Sequence, residues 1–210
     1  MVRRKPTWHF ERAAWKEGFR QVAGLDEVGR GCLAGPVVAA AVVLDPVRRV
    51  RGIDDSKRLT ARQRERLYGE IVLASRSWAV AFVGSEEIDR TNILRATRKA
   101  MLEAVRSLPH APDCLLVDAV DLTGCGLPCH SIIHGDGRSV SIAAASVLAK
   151  VTRDRFMVEA DTRYPGYGFA SHKGYGTRLH MEALRSKGVT PLHRVTFYGV
   201  GSFQPALPLV

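Results

Sequence analysis

The sequence predicts an α/β protein with a mixed sheet flanked by helices. Three observations predict it. Two apolar runs open the fold, "QVAGLDE" and "PVVAAAVVL" (36–44), and only the tight "GRGCLAG" separates them, so they pair as antiparallel neighbours. Helical and strand patterns then alternate, which adds strands to one sheet and covers its faces with helices. The long stretch 139–164 begins almost wholly with small and apolar residues, which lets a helix lie close against a sheet.

The elements follow in order. Residues 8–19, "WHFERAAWKEGF", read as a short amphipathic helix. "QVAGLDE" is the first strand. In the second, Val37, Val38, Val42 and Val43 favour extended backbone, and Pro36 suits a strand start. After the basic loop "DPVRRVRGIDDSKRLT", Thr60 and Gln63 stand at capping-box spacing and open a helix. Its apolar stripe is Leu67, Ile71 and Ala74, with Arg62, Arg64 and Arg66 on the wet side. "SWAVAFVG" (77–84) is a third strand. Residues 91–108 have the clearest helical period, with Ile93, Leu94, Ala100, Met101, Ala104, Val105 and Leu108 apolar and Pro109 and Pro112 closing the helix. "CLLVDA" (114–119) and "HSIIHGD" (130–136) are strands ending in acids. The helix 139–164, a Gly- and Tyr-rich loop (164–177) and a helix stopping at Gly188 complete the fold. The tail "GVGSFQPALPLV" reads as extended because of its prolines. Residues 1–200 thus form one domain, with 163–200 its helical and loop C-terminal part and 201–210 a tail.

Composition narrows the function. Apolar residues make up 46% of 210, enough for a real core and against global disorder. No apolar run has the length of a membrane span. The basic start lacks the apolar region of a signal peptide, so a cytoplasmic protein is expected. The net charge of +10 points to an acidic partner, and nucleic acid fits better than a membrane surface because no helix joins a basic face to a broad apolar one. Cys32, Cys114, Cys125 and Cys129 are too few for a disulfide scaffold, and "CGLPCH" has no second cluster to complete a zinc site.

The chemistry gathers where strands end. Asp26 with Glu27, Asp118 and Asp136 close three apolar runs. In an open α/β sheet, sites form at the carboxyl ends of strands. A single such acid is more often a cap or loop residue, as expected for Asp113 and Asp121. Four acids at three strand ends instead imply a shared site. Their mutual repulsion is relieved by a cation, and an all-oxygen ligand set selects Mg²⁺ or Mn²⁺. Two such ions roughly 3.5–4 Å apart can activate water and stabilise the leaving oxygen of a phosphodiester. Adjacent strand residues point to opposite faces. Asp26 is therefore the expected central ligand, and Glu27 joins it only through a bulge, its backbone carbonyl or a bridging water. A rival reading takes "GRGCLAG" as a dinucleotide-binding turn, but that turn needs a helix next, and a valine-rich strand follows.

At this level of detail the sequence resembles bacterial ribonuclease HII. "AGLDEVGRGCLAGPVVAAAVVL", "DDSKRLT", "LLVDA", "GDGRSVSIAAASVLAKVTRDRFM" and "YGFASHKGYGTRLHMEAL" carry the likeness, in order, over about residues 8–200. The resemblance implies a ribonuclease H-like fold with a mixed five-stranded sheet. It also implies cleavage of the RNA strand in RNA–DNA hybrids and incision at single ribonucleotides in duplex DNA, leaving a 3′-hydroxyl and a 5′-phosphate. By motif position, Asp26, Glu27, Asp118 and Asp136 are the metal-binding catalytic acids. The backbone of Gly29, Arg30 and Gly31 contacts the ribose 2′-hydroxyl. Tyr175 stacks on sugar or base, and Ser56 and Lys57 meet a phosphate. Cys32 stands where the family often has proline or alanine.

The residue chemistry agrees with these roles. Glycine permits close backbone approach, and the 2′-hydroxyl is what separates RNA from DNA. Lys57, Arg58, Arg62, Lys173, Arg178 and Arg194 are candidate phosphate contacts, while His172, His180 and His193 have no partner visible in sequence. The tail "QPALPL" (204–209) resembles short sliding-clamp-binding peptides, with Gln204, Leu207 and Leu209 as anchors. A monomer acting on hybrid and ribonucleotide-containing duplex is the expectation. A non-catalytic nucleic-acid binder and a dinucleotide enzyme are the rivals.

Overall fold

The computed structural model describes residues 5–122 and 124–203. Five strands form one sheet in the order β3-β2-β1-β4-β5, where β1 is Val22–Val28, β2 Val37–Leu44, β3 Ser75–Val83, β4 Cys114–Asp118 and β5 Cys129–Ile132. β1 pairs antiparallel with β2, and β2 with β3, whereas β4 and β5 run parallel to β1. The sheet is therefore mixed, as expected. The residues after "GRGCLAG" form β2 and not a helix, which removes the structural requirement of the dinucleotide reading.

Helices α1 (His9–Lys16), α2 (Ala61–Ala74), α3 (Ser85–Arg90), α4 (Ile93–Arg106), α5 (Val140–Arg163), α6 (Phe169–His172) and α7 (Arg178–Lys187) surround it. The Thr60–Gln63 capping box forms: Thr60 Oγ1 accepts from the Gln63 N–H, and the Thr60 N–H donates to Gln63 Oε1 at 2.8 Å. The two faces of β1 meet different helices. Ala23 and Leu25 join Met101 and the other buried residues of α4. Gly24 and Asp26 alternate to the α5 side. A Cβ on Gly24 would lie 2.2 Å from the Ser141 carbonyl carbon, so glycine here is what lets α5 cross the sheet closely. Residues 140–149 are all buried, as the small-residue run predicts, and Lys150 is the first half-buried position of α5.

Several elements differ from expectation. Arg64 does not face water: Nη1 donates to the carbonyls of Ser56 (3.0 Å) and Leu59 (2.5 Å), fastening the loop before α2. Leu94 is exposed, while Ala96, Ala100, Met101 and Ala104 carry the buried face of α4. Short α3 and α6 appear where no periodic signal could accumulate. β5 ends at Ile132, and Asp136 lies beyond it in a 3₁₀ turn, Gly135–Gly137. Residues 201–203 also form a 3₁₀ turn rather than extended chain. Residues 204–209, with the clamp-like peptide, lie outside the described residues. Among the described residues, no helix is long and apolar enough to cross a membrane.

Candidate active site

Parallel pairing aligns the ends of β1 and β4. Leu25 stands opposite Val117, so Asp26 and Asp118 are the next residues along neighbouring strands. Leu25 and Val117 both enter the α4-side core, which sends both aspartates to the opposite, α5 face. The turn from β5 into α5 supplies Asp136. Its position is tied to β4, because Asp118 Oδ1 accepts from the Gly135 N–H at 2.7 Å. One carboxylate oxygen from each of Asp26, Asp118 and Asp136 then lies within 4.8 Å of the others.

Glu27 is not part of that group. β1 stays in register through it, with Glu27 opposite Ala39, so the bulge considered from sequence does not form. Its Oε1 accepts from Arg30 Nη1 at 3.2 Å, and its charge still acts on Asp26. Oε2 is buried and has no hydrogen-bond partner among the described residues.

This concentration of acid is electrostatically uncomfortable. Burial raises the Asp26 carboxyl well above its ordinary range, and the charges of Glu27, Asp118 and Asp136 raise it further. Burial also raises Asp118, against the lowering effect of the Gly135 N–H, and raises Glu27 against the pull of Arg30. Burial works to lower Lys57, but its contact with Asp136 Oδ2 at 3.1 Å outweighs this and raises it. Clustered buried oxygens with a further orphaned oxygen nearby suit a hard divalent cation.

Beside the acids lies a rim built from two loops. Gly29 has φ +93°, and a Cβ there would meet Arg153 Nε at 2.3 Å, so both turn and neighbour require glycine. Gly31 is exposed and faces open space. Two fully buried arginines hold this turn. Arg153 donates to the carbonyls of Pro36 (2.9 Å), Ala34 (3.0 Å) and Lys173 (2.8 Å). Arg194 donates to those of Arg30 (2.9 Å) and Gly35 (2.7 and 3.1 Å). Arg194 is thus a structural clamp and not the phosphate contact expected from sequence. The second loop carries Tyr175, 43% exposed, and joins the first where the Leu33 N–H donates to the Gly174 carbonyl at 2.8 Å. Burial raises the Tyr175 hydroxyl, and the Cys32 thiol beside it adds to the shift.

The other expected contacts separate clearly. Lys57 extends from a 3₁₀ turn, Ser56–Arg58, capped by Asp55, and its ammonium reaches the acid cluster. Ser56 is buried beneath it, its N–H donating to Ser146 Oγ at 3.3 Å, so it anchors the turn. Arg58 pairs with Asp54 and Asp55, and Arg178 with Glu182. The Lys173 ammonium turns back to the Ala170 carbonyl. Sequence reasoning missed Arg153 and Glu11. Glu11 is buried, and its Oε1 accepts from Ser139 Oγ (2.6 Å) and the Ser141 N–H (2.8 Å), bracing the start of α5 next to Asp136. Spacing could have exposed Arg153: it stands four residues from both Ala149 and Met157, on the buried side of α5.

Residues 23–200 match the sequence family described as Ribonuclease HII. A Ribonuclease HII of Ruminiclostridium cellulolyticum is 51% identical over 197 residues, covering 94% of this chain and 77% of the relative. The chain belongs to the ribonuclease HII family. Solved structures agree in fold. The ribonuclease H2 of Pyrococcus horikoshii OT3 superposes with a TM-score of 0.75 at 28% identity, covering 88% of this chain and 97% of that one. The ribonuclease HII of Archaeoglobus fulgidus, solved in a complex with PCNA, gives 0.72 at 27% identity, covering 85% and 95%. The ribonuclease HII likeness therefore extends across the acid cluster and both rim loops.

Proposed function

We propose that this protein is an endoribonuclease that cleaves the RNA strand of RNA–DNA hybrids and nicks duplex DNA on the 5′ side of single embedded ribonucleotides. The observation that carries this reading is the convergence of Asp26, Asp118 and Asp136 within 4.8 Å, beside a turn open to a sugar. Family membership supplies the substrate class. Mg²⁺ or Mn²⁺ bound at the acids would supply Lewis-acid activation of water and neutralisation of the leaving oxygen. Asp26, Asp118 and Asp136 would hold the ions, and the orphaned Glu27 oxygen would be free to accept a hydrogen bond from the attacking water. The Gly29–Gly31 backbone reads the 2′-hydroxyl, and Arg30 neutralises a phosphate in forked geometry. Lys57 exchanges its Asp136 partner for a substrate phosphate. Tyr175 offers a flat face to the sugar or base beside the cut. Cleavage leaves a 3′-hydroxyl and a 5′-phosphate.

The test is a duplex carrying one ribonucleotide, incubated with Mg²⁺, Mn²⁺ or chelator across a range of salt. A metal-dependent nick 5′ of the ribonucleotide is expected; no nick with either metal would overturn the reading. For the tail, the archaeal complex with PCNA supports the proposal that residues 204–209 contact a sliding clamp. Equal clamp binding by the full chain and a 1–202 truncation would rule that out.

A further inference from the structure

Three histidines outside the acid cluster, His172, His180 and His193, are buried against one another behind the Tyr175 turn. The Gly174 N–H donates to His172 Nδ1 at 3.1 Å, so the His172 proton sits on Nε2, which donates to the Tyr167 carbonyl at 2.8 Å. The Thr190 N–H donates to His193 Nδ1 at 2.8 Å, which leaves the proton on Nε2, 3.0 Å from His180 Nε2. His180 accepts there and donates from Nδ1 to the Tyr175 carbonyl, 2.9 Å away. One tautomer pattern satisfies every contact, and in it all three rings are neutral. The His172 and His180 rings also stack, with centroids 4.4 Å apart and planes 14° from parallel. Two ends of this network fall on the backbone groups that bracket Tyr175: the Gly174 N–H and the Tyr175 carbonyl.

We propose that His172, and His180 locked by His193, are positioning residues that fix the backbone around Tyr175 and so set where its ring meets the duplex. This rests on the reading of Tyr175 as a substrate contact. A side chain on an exposed loop makes a reproducible contact only if its backbone is held, and here ring nitrogens whose tautomers the contacts assign hold it. A merely structural cluster would support the fold equally whether or not residue 175 is a tyrosine.

A double-mutant cycle separates the two. kcat and KM are measured on a one-ribonucleotide duplex for the wild type, Tyr175→Ala, His180→Phe and the double variant. His180→Phe keeps a flat ring and removes both nitrogens. The expected result is a loss of about tenfold in kcat/KM, the scale of a misplaced contact group. That loss shrinks below about twofold once Tyr175 is alanine. His180→Asn, whose side-chain N–H can stand in for Nδ1–H, restores most of the activity. No loss from His180→Phe, or equal losses in both backgrounds, would overturn the proposal. Unchanged kcat/KM for Tyr175→Ala would remove the contact itself, and the proposal with it. If His180→Phe melts below the assay temperature, His193→Asn runs the same cycle. It keeps an acceptor for the Thr190 N–H and deletes the donor to His180, and the same outcomes decide.

Discussion

At the floor of the site, Asp26, Asp118 and Asp136 hold like-charged oxygens within 4.8 Å, and burial pushes the Asp26 carboxyl well above its usual range. At the rim, a few residues away, Arg153 and Arg194 are buried just as deeply, yet each of their three guanidinium nitrogens donates to a backbone carbonyl. The floor is left electrostatically incomplete, while the rim is over-determined. Completing the floor requires something from outside the chain. The rim needs nothing further and can present a fixed surface to a duplex. Stability and function therefore separate: charge removed from the floor should cost activity, and contacts removed from the rim should cost the fold.

The largest effect expected is in activity. Asp26→Asn should lower cleavage by about 10³-fold or more, as loss of a metal-held reaction does. Its thermal midpoint in chelator should not fall, because a repelling charge has gone; a clearly lower midpoint would break the comparison. Arg194→Ala should behave in the reverse sense. It strands the carbonyls of Arg30 and Gly35, and denaturant unfolding should show a loss of about 3 kcal/mol. Divalent cation should stabilise the wild type by about 2.7 kcal/mol at a hundred times its Kd, and Asp26→Asn much less, as read from thermal shifts.

The smallest effect expected is in pH. Burial, aided by the neighbouring His180, lowers the His193 imidazole from 6.5 to about 4. Between those values the unfolded chain binds more protons than the folded one, so stability falls as pH falls from about 6.5 towards 4 and is flat above. His193→Asn should flatten that part of a stability–pH curve. An unchanged slope would mean that the histidines behind Tyr175 are not held neutral.

The floor was largely legible from the sequence, as were Gly29, Arg30, Gly31 and Tyr175 at the rim, but the buried arginine clamps that hold the rim were not. Apolar runs that stop at carboxylates reveal strand ends: Asp118 closes β4, and Asp26 lies two residues before the end of β1. Asp136 belongs to the same site but not to a strand. His134 adopts a left-handed conformation at φ +55° and breaks the run, a choice no periodicity records. At Glu27 the strand forms no bulge, and the side chain pairs with Arg30 while the three aspartates converge. The clamps stayed hidden because arginine is almost never fully buried, so Arg64 and Arg194 read as surface charge. Their carbonyl partners are backbone groups, which every residue carries and no residue type advertises. The histidines' partnership depends on α6, α7 and the loop after α7 folding back around Phe169.

The most direct measurement compares binding and cleavage by Asp118→Asn on one substrate, a duplex with a single ribonucleotide, in Mg²⁺. If the floor performs the chemistry and the rim recognises the sugar, cleavage is lost while affinity stays within about threefold of the wild type. Cleavage and binding both left at wild-type values would contradict the account, because the acid cluster would then be dispensable.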